Sequence, residues 1–283
     1  QADDAKGKFS GFTSVLSGMG TALKAAAAAT AAAVAGAATA IGALTTKAIE
    51  GYAAQEQLVG GVETLFKTSS DTVVGYANDA YKTAGMSANE YMETVTSFSA
   101  SLLASMNNDT AAAAEKANVA ITDMSDNANK MGTDISLIQN AYNGFAKQNY
   151  TMLDNLKLGY GGTKEEMQRL LDDASKLSGI KYDISSYSDV VDAIHVVQTE
   201  MGITGTTAKE ASTTIEGSVS SMSSAWDNWV AGMADSEANF SQLTSNLVDS
   251  IVTVVGNIAP RVIETVPRLV SGLGEIVEQL ATY

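Results

Sequence analysis

One histidine, no cysteine and one glycine-rich turn are the places where this chain of 283 residues could support chemistry. His195 sits between Ile194 and Val196-Val197 in a helix-like run. A lone imidazole cannot build a multi-histidine metal site. The nearest acid in sequence is Asp192, three residues back, and no carboxylate pair stands at i, i+4 beside it. Packing at a core or an interface is the expectation for His195. The absence of cysteine rules out disulfides and thiolate metal sites. The turn Gly159-Tyr160-Gly161-Gly162-Thr163-Lys164 faces a helix start, where an anion could bind. Its lysine and threonine stand in the wrong order for a phosphate-binding Walker loop. The dinucleotide fingerprint needs a third glycine and a preceding strand, and neither is present. A tight loop between packed helices is therefore expected. Asp172-Asp173, Asp183 and Asp189 read as caps and solvated faces. Trp226 and Trp229, three apart, share a helix face and read as core anchors rather than a sugar platform. No residue is assigned a catalytic, cofactor-binding or metal-ligating role.

The elements that position these residues read as helices. The chain is 45% hydrophobic and has only two prolines, both near its end. So few breaks favour long helices over strands and turns. The net charge of −15 opposes binding to nucleic acid by phosphate neutralisation, which needs a basic surface. The expected fold class is all-α. A compact multi-helix domain is flanked by an alanine-rich hydrophobic helix on the N-terminal side and an amphipathic helical pair on the C-terminal side.

Residues 1–24 keep Phe9, Phe12, Val15, Leu16 and Met19 at helical spacing. Residues 25–49 form the alanine-rich helix, in which Ala25 to Thr46 carries no charge between Lys24 and Lys47. Its length suffices for a bilayer core of about 30 Å. Its alanine content suits equally a close-packed helix, and Gly36, Ala40 and Gly42 allow tight approach in either setting. Both readings stand at this point.

Residues 50–216 carry short apolar stripes between start and stop signals. One amphipathic helix takes Ile49, Tyr52, Ala53, Leu58, Val62, Leu65 and Phe66. Ser69-Ser70-Asp71 is a cap cluster, and Gly85 a stop. Asn107-Asn108-Asp109-Thr110 breaks the chain before a helix to about Lys130, and another follows Asp134. Capping boxes are expected at Ser87/Glu90, Thr163/Glu166, Ser186/Asp189 and Thr207/Glu210. Met167, Leu170, Leu171, Ala174 and Leu177 form the stripe behind Thr163. Gly179 to Ile184 reads as an extended connector, and Gly202 as a C-cap. In residues 217–283, Pro260 is placed to open a final helix and Pro267 to kink it. Arg261, Glu264, Arg268, Glu275 and Glu278 lie among the apolar positions there, which suits a partner-seeking tail and not a membrane span.

One string says more than its periodicity. LDNLKLGYGGTKEEMQRLL, from Leu153 to Leu171, closely resembles a segment of the tail tape measure proteins of long-tailed bacteriophages and prophages. The likeness continues through Ala193 to Gly202, Thr206 to Glu210, Ile215-Glu216-Gly217 and Trp226-Asp227-Asn228-Trp229. It covers roughly Asn140 to Met233, about a third of the chain. The resemblance implies a structural protein of the virion and no enzyme, with no cofactor. It would lie in the lumen of the tail tube, as a homo-oligomer, with tail tube and tail-tip proteins as partners. It would template tube assembly and length, and would take part in genome ejection, with host membrane as a further partner at that stage. DNA would be met only in passing. The family's chains are much longer, so a portion of a longer protein is expected. A pore-forming or membrane-interacting helical protein is the alternative, suggested by Ala25–Thr46. A tail-associated cell-wall hydrolase is the third, and nothing in the chain resembles one.

Overall fold

The computed structural model describes residues 31–281, and side chains from 43 to 260. The described residues contain no strand and pack as a compact all-α arrangement. Helix α1 is Ala31–Phe66, followed by α2 (Ser70–Thr83), α3 (Ala88–Ser105), α4 (Thr110–Met131) and α5 (Ile135–Phe145). A 3-10 turn over Leu153–Leu156 leads to α6 (Lys164–Ser178), α7 (Tyr187–Glu200), α8 (Thr206–Thr213), α9 (Ile215–Gly232) and α10 (Phe240–Ala281).

The starts follow local chemistry. Ser87 accepts from the Glu90 amide while Glu90 accepts from the Ser87 amide, a complete capping box. Asp109 accepts from two amides of α4, and Asp134 accepts from the Ser136 amide at the start of α5. Thr163 and Ser186 cap α6 and α7 through the Glu166 and Asp189 amides. The acids opposite them reach further out than a box requires: Glu166 accepts from Gly161 N, and Asp189 from Asp183 N. Gly85 and Gly202 take positive φ just past α2 and α7, as expected of stops.

Four local expectations are corrected. Leu177 is 50% exposed, off the buried stripe of Met167, Leu170, Leu171 and Ala174, in the last turn of α6. Ser69 caps no amide; its hydroxyl pairs instead with that of Thr110 at the start of α4. Thr207 is no cap, since α8 begins at Thr206 behind Gly205, and the cap comes from another helix. Pro260 opens nothing: α10 runs unbroken from Phe240 to Ala281, through both prolines. A proline inside a helix removes one amide from the ladder, and the surrounding turns carry it.

The main core runs from Val62 and Phe66 through Tyr91, Phe98, Ile121, Tyr142, Phe145 and Leu171 to Ile203. A second cluster joins Tyr81 to Met222, Ala225, Leu247 and Val254, and holds α9 against α10. The serine-rich start of α9 makes this possible. Ser218, Ser221 and Ser224 are buried, and their small side chains let α9 approach α1 and α2 closely. Ser224 donates to Gly85 O at 3.0 Å, and Asn228 accepts from Ala88 N at 2.7 Å, tying α9 to the start of α3. Helix α1 runs without a break across the boundary at residue 50, and Ile49 on it is exposed. Residues 1–30 lie outside the described residues, and so does part of Ala25–Thr46. Among the described residues no helix is long and apolar enough to cross a membrane.

Candidate functional site

The buried carboxylates among the described residues lie on the second half of α4. Asp123 is 1% exposed, and Asp126 and Asn127 are fully buried. Helix α4 contacts α2, α3, α5, α7 and α8. Its middle therefore has no solvent face, and each buried polar group needs a partner.

Asp123 finds His195 on α7, whose Nδ1 lies 3.0 and 2.9 Å from the two carboxylate oxygens. Burial drives the Asp123 carboxyl above its usual range, and the imidazole opposes that shift. The hydrogen bond from Asp123 raises His195 above its ordinary value against partial desolvation, with Asp192 adding to the rise and Lys116 reducing it. The pair thus holds a proton between the two helices. Lys116 and Asp192 form an ion pair across the same helices. Asp126 turns the other way: its oxygens accept from Gly205 N at 2.6 Å and Thr207 N at 2.7 Å, capping α8 from outside its own chain segment. Asn127 donates to Leu156 O, holding the 3-10 turn. The buried Gln198 amide and Tyr142 hydroxyl face each other without a close hydrogen bond. Burial holds that hydroxyl far above its ordinary range.

An aspartate that orients a histidine is half of a general-base arrangement, which also needs a nucleophile on the other ring nitrogen. Among the described residues no hydroxyl hydrogen-bonds to His195 Nε2, and no group of three histidine or carboxylate side chains is placed to hold a metal ion. The arrangement orients and neutralises, and so joins α4 to α7.

His195 is the chain's only histidine, so its Cε1 proton gives a single, assignable NMR signal. We expect it to titrate above about 6.5, and to fall back in D123N. Both groups bind their proton more tightly when folded. The His195 contribution is therefore present below the unfolded imidazole value and is lost as pH rises through the folded one, whereas that of Asp123 is lost from the ordinary carboxylate range upward. The urea midpoint should drop across that window in the native chain and stay flat in D123N/H195Q, which lacks both titrating groups. A flat profile in both would remove the pair from the stability argument.

The glycine turn is built for closure. A Cβ on Gly162 would lie 2.3 Å from the carbonyl oxygen of Thr151. Gly159 has φ of 87°. Glu166 accepts from Gly161 N at 3.0 Å, which puts the chain's own carboxylate where an anion would sit at the start of α6. Arg169 completes the clamp, donating to Gly159 O at 2.8 Å and to Glu166, with its guanidinium 4.4 Å from the Tyr160 ring centroid. Leu153, Leu156, Leu158, Met167, Leu170 and Leu171 on either side are buried. The string that carries the resemblance is thus a self-satisfied corner of the core. The amides of Gly161, Thr163 and Glu166 are taken by the turn's own acceptors, which favours the tight-loop reading over phosphate.

Trp226 and Trp229 stack at 5.3 Å between ring centroids, and Phe240 lies 5.5 Å from Trp229. Trp229 Nε1 donates to Thr244 Oγ1 at 3.1 Å. Both rings pack on the second cluster and anchor α9 to α10. Beside them a groove of about 660 Å³ is lined by amides such as Asn89, Asn228 and Gln242, with Glu50, Asp227 and Asp235. Asn89 and Asn228 spend hydrogen bonds on Gly51 O and Ala88 N, so they hold the walls together.

The sequence did not point to Asp123, Asp126 or Asn127. Each lies beside Ile121 and Met124 with no motif around it, and its partners come from segments 29 to 81 residues away. No protein-family model, curated protein or solved structure matches this chain.

Proposed function

We propose that the chain is a folded portion of a phage or prophage tail tape measure protein, a structural component and not an enzyme. The carrying observation is the string from Leu153 to Leu171, with the further words that follow it in order as far as Trp229. On this reading the chain lies in the tail tube lumen, self-associates there, and contacts tail tube and tail-tip proteins. A fully extended helix of 283 residues would reach only about 420 Å, and this packed body far less. The portion described here therefore serves as a compact unit rather than as the ruler. The acidic charge supports passage of DNA without adhesion.

The test is compositional. Tails purified after prophage induction or phage growth are separated from capsids and analysed by mass spectrometry. Peptides of this chain are expected in the tail fraction, protected from protease until the tube is opened. Their absence from intact tails would sink the proposal.

A role in breaching the host membrane rests on Ala25–Thr46 alone. Flotation with liposomes of the intact chain beside a version lacking that segment measures it. Flotation of the intact chain only is the expected result. If neither floats, the segment is a packing helix and the portion acts through assembly.

A further inference from the structure

The groove beside Trp226 takes its walls from α1, α2, α3, α9 and α10. Its volume of about 660 Å³ falls within the roughly 300–1,000 Å³ of ligand-binding clefts. Glycine at 51 lets α1 lie directly on α9, since a Cβ there would stand 3.2 Å from Ala231 Cβ. That approach, with the bonds from Asn89 to Gly51 O and from Ala88 N to Asn228, ties α1, α3 and α9 together around the groove. It is therefore formed before anything binds.

Two chemistries meet on its lining. The first is charge. Glu50 of α1, Asp227 of α9, and Asp235 and Glu237 of the turn into α10 line it, and Lys47 is the one cation among the described lining residues. The Tyr52 phenol is raised above its ordinary value by a hydrogen bond to Glu56, with Asp235 and Glu237 adding to the rise. Acids of α1 and of the turn thus act on one space. The second is the primary amide. Gln55 and Asn78 make no side-chain hydrogen bond among the described residues. Asn228 and Asn246 accept through oxygen, from Ala88 N and from Gln242, and keep their N–H groups unspent. Asn89 donates to Gly51 O, while its own oxygen is buried without a partner. Side-chain amides both donate and accept, and so match the C=O and N–H groups of a peptide backbone.

We propose that the groove takes an extended segment of another protein, one that carries lysine or arginine at alternate positions. An extended chain needs partners for its backbone groups, and pockets for every second side chain. The amides meet the first need and the acids the second, and the half-buried Trp226 ring offers apolar surface to the methylene stems. A neutral sugar would use the amides and leave the four acids without a counter-charge. A protonated polyamine would answer the acids, but it has no acceptor for the N–H groups of Asn228 and Asn246. Nucleic acid and anionic lipid are repelled by the same acids.

The inference takes nothing from the tail reading. Fluorescence anisotropy measures it, with a labelled peptide of about ten residues, lysine and serine alternating, titrated with the intact chain. Saturable binding is expected, with a dissociation constant on the order of 10 μM at about 50 mM salt. E50Q/E237Q neutralises two exposed acids and should weaken binding at least about tenfold. Q55L/N78L keeps the charge and should weaken it about fivefold, with the salt dependence unchanged. A peptide with glutamate in place of lysine should not bind. No binding of the lysine peptide to the intact chain would overturn the proposal, as would native affinity in both variants. A loss in E50Q/E237Q beside no change in Q55L/N78L would leave an acidic patch without peptide recognition, and overturns it too. Binding that appears only in K6Q/K8Q would make the chain's own amino-terminal segment the occupant, and would remove the outside partner. Each of these results is read on the isolated chain and is independent of whether that chain is found in tails.

Discussion

Alanine at position 126 is expected to lower the unfolding free energy by about 3–5 kcal/mol, a large share of the roughly 5–15 kcal/mol that folded domains possess. The fully buried Asp126 carboxylate receives two short bonds, from Gly205 N and Thr207 N. It also sits at the positive end of α8, which has no side-chain cap of its own. Truncation leaves two buried donors without their acceptor. D126N keeps the volume and one acceptor, so about half the loss is expected. The companion variant is T207A. A local capping box at Thr207/Glu210 would make that change cost about 1 kcal/mol. Here the Thr207 hydroxyl has no partner, so its loss should be neutral within about 0.5 kcal/mol. Urea unfolding of the three variants decides it: a harmless D126A beside a costly T207A would restore the local cap.

G162A carries the second large effect, about 3 kcal/mol of destabilisation, or a melting temperature lower by roughly 6–12 °C. The added methyl would meet a backbone oxygen at 2.3 Å, and neither side of that contact can swing away. Thr151 is fixed by the turn at Asn149, and Gly162 precedes the Thr163 cap. The neighbouring glycine supplies the control. A methyl at Gly161 would rest 3.6 Å from Glu166 Cγ, an ordinary contact, and the Gly161 amide would still reach Glu166. G161A should therefore cost under about 1 kcal/mol. Equal effects at the two positions would mean that backbone freedom, and not the approach to Thr151, is what the turn requires.

These two cases divide what was legible from what was not. Helix starts at Ser87, Asp109, Asp134, Thr163 and Ser186 were legible because a cap and its amides lie within three residues of each other. The apolar stripes at Met167-Leu170-Leu171 and Val190-Ile194-Val197 were legible for the same reason, since helical period is a local property. The glycine turn was recognised as a tight loop, but its need for glycine at 162 is set by Thr151, across the turn.

The errors have one cause. Ser69 and Thr207 carry local cap signatures, yet the Ser69 hydroxyl and the Thr207 amide found their partners across the fold. Leu177 keeps helical spacing with buried residues, but it lies in the last turn of α6, where the side chain is exposed. Pro260 reads as the opening of a helix, yet it lies inside α10, whose long run of helical turns outweighs one missing amide bond. By itself, then, the sequence determined the all-α class, most helix starts, the absence of thiolate chemistry and the stretch that resembles tail proteins. Only the tertiary structure decided that Asp123 and His195 share a proton, that Asp126 caps a helix 79 residues away, and that one valine stripe of α10 faces outward. Caps and periodicity act over one or two turns. Buried charge pairing and exposure depend on which distant segments are brought together, and no local pattern encodes that.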